Sequence, residues 1–127
     1  MLKGLHHVSL KVASQEALQA AITFYRDLLG FPLLRTWGQG EKQMAMLDLG
    51  NTILELSANG VSSAQPGPFA HIAFRTDDVD GDVARVTGAG FSLIMAPTDV
   101  KLGEDHPARV AFCRGPAGEE LEFFCEL

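Results

Sequence analysis

Two histidines and two glutamates occupy matched positions in the two halves of this 127-residue chain. In the first half His7 precedes Glu55 by 48 positions, and in the second half His71 precedes Glu122 by 51. Imidazole nitrogens and carboxylate oxygens are ligands that suit divalent transition ions. An internal repeat with one such pair in each copy predicts a single metal site built from both halves. Nickel, cobalt, zinc, iron and manganese are the candidate ions.

Each of the four residues also has a simpler interpretation. A single histidine in a strand is more often a hydrogen-bonding partner than a metal ligand, and a single glutamate near a strand end is usually solvated. Their placement at equivalent points of a repeat favours the metal site. The other two histidines are not counted as ligands, because His6 faces the apolar side of its strand and His106 lies in a predicted loop.

The residues around the first pair predict a definite order of elements. Alternation of apolar and polar residues predicts a strand over 5–12, and apolar residues at helical spacing predict a helix after the cap Ser14. Three further strands are predicted over 31–36, 43–49 and 52–58, because glycine-containing turns separate runs of strand-forming residues. The first half is thus a strand, a helix and three strands.

The pattern restarts after the segment 59–68, which is rich in Pro, Gly, Ser and Asn and is interpreted as a linker. A strand over 69–76 precedes a helix that Asp77 or Asp78 can cap. Three strands follow over 91–95, 108–113 and 119–125. The charged segment 97–107 is interpreted as a loop, either one that closes over a pocket or an ordinary surface loop.

Neither half is complete by itself, since four strands and one helix leave an apolar face in water. The halves must therefore cover each other or a partner chain. In each strand that carries a ligand candidate, that candidate lies on the more polar face, and the opposite face is apolar. We predict one α+β domain over 1–127, with module one over about 1–58, module two over about 69–127, and the polar faces around a cavity.

Composition and charge exclude several classes of partner. A net charge of −6 with scattered basic residues argues against nucleic acid and anionic membrane surfaces. No segment approaches the roughly 18 consecutive apolar residues of a membrane span, and the first residues lack the apolar core of a signal peptide. Cys113 and Cys125 do not make a disulfide framework. Each is flanked by Phe, which favours a buried thiol over a nucleophile. These features predict a cytoplasmic protein.

Several short motifs extend the pattern beyond the ligand candidates. They are His6-His7-Val8, the run FYRDLLGF over 24–31, Ile53-Leu54-Glu55-Leu56, Ala70-His71-Ile72-Ala73 and Leu121-Glu122. With these motifs, essentially the whole chain closely resembles the vicinal oxygen chelate superfamily, which groups glyoxalases, fosfomycin-resistance enzymes, bleomycin-resistance proteins and extradiol dioxygenases. The resemblance implies two βαβββ modules that form a cupped mixed sheet around a central site for one divalent metal ion.

Among the branches of this superfamily, the chain is most similar to glyoxalase I, or lactoylglutathione lyase. That branch has Glu at the second ligand position, as Glu55 is here, and the resemblance implies that Asn59 and Lys101 contact the substrate. Lys11 stands where that branch usually has Arg, and Lys cannot hold a carboxylate in the same bidentate way. The segment 115–118 also departs from the branch, so the thiol of the substrate can be glutathione or another thiol.

The resemblance also implies a reaction on a small molecule. The hemithioacetal of a 2-oxoaldehyde and a thiol would become a 2-hydroxyacyl thioester, and the metal would stabilise the enediolate formed when a C–H proton leaves. Glu122 would be the main base, with Glu55 on the opposite side. His7 and His71 would be permanent ligands.

Two other interpretations remain open. A metal-dependent thiol transferase or hydrolase would act on a small electrophile, as fosfomycin-resistance enzymes do, although those typically use three metal ligands. A non-catalytic protein would bind a drug or metabolite. Short members of the superfamily usually form homodimers, and in several the site takes one module from each chain. The predicted site can therefore form within one chain or between two.

Overall fold

The computed structural model describes residues 1, 3–59, 68–102 and 104–127. It contains two compact units, Met1–Ser63 and Ala64–Leu127, each with one four-stranded mixed sheet. The predicted α+β class and the two modules are therefore confirmed. Most of the predicted linker, 60–67, lies outside the described residues. In the part of the chain that is described, no helix is long and apolar enough to cross a membrane.

Module one has the predicted order of elements, with an additional π-helical turn and a 3-10 turn. The elements are β1 (His7–Lys11), α1 (Gln15–Thr23), the π-helical turn Phe24–Leu28, β2 (Leu33–Trp37), the 3-10 turn Gly40–Lys42, β3 (Met44–Asp48) and β4 (Ile53–Ser57). The strand order is β1-β4-β3-β2, with β1 parallel to β4 and the other pairs antiparallel. The first and last strands of the module are thus neighbours.

Module two repeats this topology. Its elements are β5 (Ile72–Arg75), α2 (Val79–Gly88), β6 (Leu93–Lys101), β7 (Pro107–Arg114) and β8 (Glu120–Glu126). The strand order is β5-β8-β7-β6, and β5 is parallel to β8. The strand before the helix and the last strand therefore lie side by side in both modules, and these are the strands from which the ligand candidates come.

The core of module one lies between α1 and one face of its sheet. Ser14 caps the helix as predicted, because its Oγ accepts a hydrogen bond from the backbone N–H of Ala17 over 3.1 Å. The apolar stripe of the helix and the alternate residues of β3 and β4 are buried; they are Leu18, Ala21, Ile22, Ala45, Leu47, Leu54 and Leu56. The opposite sheet face is left for the polar residues of β1 and β4.

The prediction of a loop over 97–107 is wrong for its first part. Strand β6 continues to Lys101, where it pairs with Pro107 at the start of β7. Pro97 is tolerated because it falls within a register shift of this edge strand, where no ladder hydrogen bond depends on its missing N–H. Arg109 of β7 fixes the extension, since its Nη1 donates to Asp99 over 2.9 Å.

The same arginine ties this strand pair to helix α2. Arg109 also donates to both carboxylate oxygens of Asp80, over 2.6 and 2.8 Å. The guanidinium therefore holds the pKa of Asp80 below its usual range. This contact joins residues 29 positions apart, so local sequence patterns did not predict it.

The start of β5 also differs from the prediction. The strand was predicted over 69–76, but β5 begins at Ile72, which is the first residue paired with β8. Phe69 is 95% exposed, and His71 immediately precedes the strand. His71 is therefore held at the strand entrance, whereas His7 is the first residue of β1.

Replacing Asp78 by Ala should lower the free energy of unfolding by about 1 kcal/mol, the usual effect of losing a helix N-cap. Asp78 is the cap of α2, since its Oδ1 accepts from the backbone N–H of Gly81 over 2.9 Å. A Cβ at Gly81 would collide with the Asp78 carboxylate, so glycine permits this close approach. Chemical denaturation would measure the loss. Asp77→Ala is the matched control, and an equal loss there would contradict the assignment.

Candidate metal centre

The first His–Glu pair lies on neighbouring parallel strands of module one. His7 opens β1 opposite Ile53 of β4, and Glu55 lies two residues further along β4. Residues that are two apart on a strand share a face, so the two side chains lie on the same side of the sheet. His7 Nε2 is 3.9 Å from Glu55 Oε2, and the Glu55 side chain is 15% exposed. The predicted pair is therefore brought together.

Two further polar side chains contact this pair. Ser9 Oγ donates to Glu55 Oε1 over 3.0 Å. The Nδ1 atoms of His6 and His7 are 2.9 Å apart, and their rings meet edge to face. A free lone pair on His7 Nε2 requires that the proton be on Nδ1, and in that tautomer His7 Nδ1–H donates a hydrogen bond to His6 Nδ1. His6 is exposed, and its contact with His7 was not predicted from the sequence.

The second pair lies at the equivalent place in module two. His71 precedes β5, and its Nε2 is 2.9 Å from Glu122 Oε2 of β8. The Glu122 side chain is 12% exposed. The His71 ring packs edge to face on Phe112, with ring centroids 5.2 Å apart. Aromatic packing and the carboxylate contact together orient the imidazole.

The donors in both pairs fit a divalent transition ion. Each pair has an imidazole nitrogen facing a carboxylate oxygen, which is the ligand chemistry such ions prefer. Within either module taken alone, the described residues contain no group of three His, Cys, Asp or Glu suited to a metal ion. Such ions usually take three or four protein ligands, so neither pair is a complete site by itself. The donor set therefore fits the metal only if both pairs contribute.

The predicted substrate-contact residues are placed at different distances from the pairs. Lys11 ends β1 on the same face as Ser9 and is exposed. Asn59 lies two residues beyond the end of β4 and is also exposed. Lys101 pairs with Pro107, whereas Glu122 pairs with Phe112, a separation of roughly 16 Å along β7 at the usual strand rise. Module two by itself therefore does not place Lys101 beside its own His–Glu pair.

The cysteines do not join either pair. Cys113 is buried within module two, and burial raises the pKa of its thiol. Cys125 is half-buried, and its Sγ donates to the Glu126 carbonyl oxygen over 3.5 Å. A high thiol pKa disfavours the thiolate that would act as nucleophile or metal ligand. Cys113 is therefore a packing residue, in agreement with its predicted role.

Comparison with known proteins gives both sequence and structural matches. The family model described as Glyoxalase/Bleomycin resistance protein/Dioxygenase superfamily matches residues 4–123. Lactoylglutathione lyase of Haemophilus influenzae is 31% identical over 125 residues, which cover 92% of this chain and 88% of that protein. This match and the family model together span both modules.

Two solved structures show the same fold in proteins with different roles. An antibiotic-binding protein from Streptomyces sp. CB03234 has a TM-score of 0.75 at 25% identity, covering 99% of this chain and 98% of the other. A variant of glyoxalase I from Zea mays has a TM-score of 0.77 at 24% identity, covering 94% of this chain and 43% of the other. One match is a binding protein and the other is a form of an enzyme.

Proposed function

The chain belongs to the glyoxalase/bleomycin resistance protein/dioxygenase superfamily, and on that premise we propose that it is a metal-dependent isomerase of glyoxalase I type. Its substrate would be the hemithioacetal of a 2-oxoaldehyde and a thiol such as glutathione, and its product a 2-hydroxyacyl thioester. The observation that carries the proposal is the presence of one His–Glu pair in each module, at equivalent places of the repeat. The relatives named lactoylglutathione lyase support the reaction class.

The four side chains would together hold one divalent ion. His7 and Glu55 supply one half of the ligands, and His71 and Glu122 supply the other half. When bound, the ion supplies Lewis-acid stabilisation of the negative charge that develops on the substrate oxygens. A nitrogen–oxygen ligand set of this kind suits nickel, cobalt, zinc, iron or manganese.

The reaction moves one proton between adjacent carbons and needs no oxidant or second substrate. Glu122 takes the proton from the carbon that carries sulfur and returns it to the neighbouring carbon, where it remains in the product. The electron pair of the broken C–H bond would form the C=C bond of the enediolate, while the π pair of the neighbouring carbonyl moves onto its oxygen. Reprotonation of the neighbouring carbon, together with transfer of the hydroxyl proton from the oxygen of the first carbon to the oxygen of the second, would leave the thioester carbonyl and the 2-hydroxyl group. Glu55 stays on the opposite side, and positioned carboxylates of this kind accelerate proton transfer by about 10²–10⁴-fold.

The substrate thiol is recognised by groups outside the ligand set. Lys11 and Asn59 extend from the β1 and β4 ends of module one, and we propose that they bind the polar part of the thiol. Lys101 would contribute from module two. A lysine in place of the branch's arginine offers a point charge rather than a two-pronged contact, so this site would tolerate thiols other than glutathione.

A second candidate function is non-catalytic binding of a drug or metabolite. It is favoured by the 25% identity to an antibiotic-binding protein over almost the whole of both chains. It differs from the isomerase in one measurable way, because a binding protein of this kind would hold its ligand after all metal has been removed. The two carboxylates paired with histidines favour the isomerase.

Protein that is stripped and then reloaded with nickel or zinc should retain about one ion per chain, as read by elemental analysis. The reloaded protein should then convert methylglyoxal to a thioester with glutathione or another thiol, and the metal-free protein should not. Failure to retain any divalent ion would overturn the isomerase. A metal-free protein that still binds an antibiotic, in titration calorimetry, would establish the binding function instead.

A further inference from the structure

One difference between the two His–Glu pairs lies two residues after each histidine. In module one this residue is Ser9, which lies opposite Glu55 in the β1–β4 register and donates to its Oε1 over 3.0 Å. In module two it is Ala73, which lies opposite Glu122 in the β5–β8 register. A methyl group cannot donate a hydrogen bond. The same place in the repeat therefore holds a hydroxyl beside one carboxylate and none beside the other.

The two carboxylate oxygens of Glu55 have different neighbours. Oε1 accepts from Ser9, while Oε2 lies on the side of His7, 3.9 Å from its Nε2. The Ser9 hydrogen bond therefore fixes the orientation of the carboxylate and leaves Oε2 on the side of the imidazole. A glutamate side chain loses considerable rotamer freedom when it is held in place, and a hydrogen bond already made in the folded protein removes part of that entropic cost from ligand binding.

The neighbouring strand on the other side supplies no hydrogen-bond donor in either module. Met46 of β3 lies opposite Glu55, and Phe112 of β7 lies opposite Glu122. Glu122 therefore has side chains without any hydrogen-bond donor on both ladder neighbours, Ala73 and Phe112. Glu122 Oε2 lies 2.9 Å from His71 Nε2, and that contact would compete directly with the metal ion.

We propose that Ser9 is a positioning residue that makes Glu55 the immobile carboxylate of the metal centre, and that Ala73 leaves Glu122 mobile. The inference rests on the proposed function, because it assigns different roles to two ligands of the same ion. A base that carries a proton between two carbons must move, whereas a permanent ligand is better held. Groups that hydrogen-bond to metal ligands typically affect metal affinity or activity by 10–100-fold.

Ser9→Ala should weaken the affinity of metal-stripped protein for nickel by about tenfold or more, measured by competition with a chromophoric chelator. Ser9→Thr should restore the affinity, because threonine keeps the hydroxyl and suits a strand. Thermal unfolding of the metal-free variants serves as the structural control, since Ser9 is exposed in module one. Equal nickel affinity in Ser9→Ala and the unchanged protein would overturn the inference.

Ala73→Ser provides the reciprocal variant, because it places a hydroxyl beside Glu122. We expect it to lower kcat about tenfold while nickel affinity stays the same or rises, since the base is now held. An unchanged kcat would overturn the assigned mobility of Glu122. Failure of the proposed function would give a different result. If the unchanged protein binds no nickel, the metal centre itself is wrong. If the unchanged protein binds nickel and Ser9→Ala binds it equally well, only the positioning role of Ser9 is wrong.

Discussion

Replacement of Glu122 by Gln should lower turnover of the hemithioacetal at least about 100-fold while much of the metal remains bound. The amide keeps the size of the side chain and one oxygen that can face an ion, but it cannot accept the substrate proton. With only 12% of the Glu122 side chain exposed, preserving its volume also protects the packing of β8. Turnover by a continuous thioester assay and metal content by elemental analysis, measured on the same preparation, would test the prediction.

Glu126→Gln is the matched control for this experiment. It makes the same chemical change on the same strand, but Glu126 is exposed and pairs with Ala108 at the far end of β8. Its turnover should equal that of the unchanged protein. Normal turnover in Glu122→Gln would show that Glu122 is not the base. Complete loss of metal from this variant would show instead that Glu122 is an essential ligand, and the loss of turnover would then follow from the loss of metal.

Replacement of either His7 or His71 by Ala should weaken metal binding by more than about 100-fold. Mutation of a group that only hydrogen-bonds to a metal ligand already lowers metal affinity by about 10–100-fold, and loss of the ligand itself should have a larger effect. Both variants should therefore be isolated with almost no metal and should have no isomerase activity. His106→Ala is the control, because His106 is exposed in the turn between β6 and β7 and was not predicted as a ligand. Full metal retention in either His7→Ala or His71→Ala would contradict the four-ligand centre.

The same two variants can show whether the site forms within one chain or between two. If each site combines module one of one chain with module two of another, a mixed dimer of His7→Ala and His71→Ala has one intact site. Random mixing after unfolding and refolding would then restore about one quarter of the activity, because half of the dimers are mixed and half of their sites are intact. If the site forms within one chain, every chain in the mixture is defective and no activity returns.

The sequence by itself determined the repeat, the order of elements and the paired ligand candidates. Periodic apolar residues and the cap Ser14 were enough to predict α1, since helix formation depends on neighbours within one or two turns. The alternation along β1 and β4 was enough to place His7 and Glu55 on a polar face, because side-chain direction in a strand has a strict period of two.

Strand boundaries and bulges were decided by tertiary structure. The continuation of β6 to Lys101 depends on pairing with β7 and on Arg109, neither of which leaves a local signal near Pro97. The late start of β5 likewise follows from where β8 begins to pair, opposite Ile72. Such limits are set by residues distant in sequence, and local propensity describes them poorly.

The contrast between Ser9 and Ala73 shows most clearly what the tertiary structure added. In the sequence, both are small residues in strands whose apolar and polar residues alternate, and neither residue type suggests a functional role. Only the parallel register, which joins residues 46 positions apart in module one and 49 in module two, places the Ser9 hydroxyl against Glu55 and the Ala73 methyl group opposite Glu122. Residue types and period thus determined which groups can bind a metal, while strand register decided which of those groups is held, because a hydrogen bond depends on distances that sequence spacing does not specify.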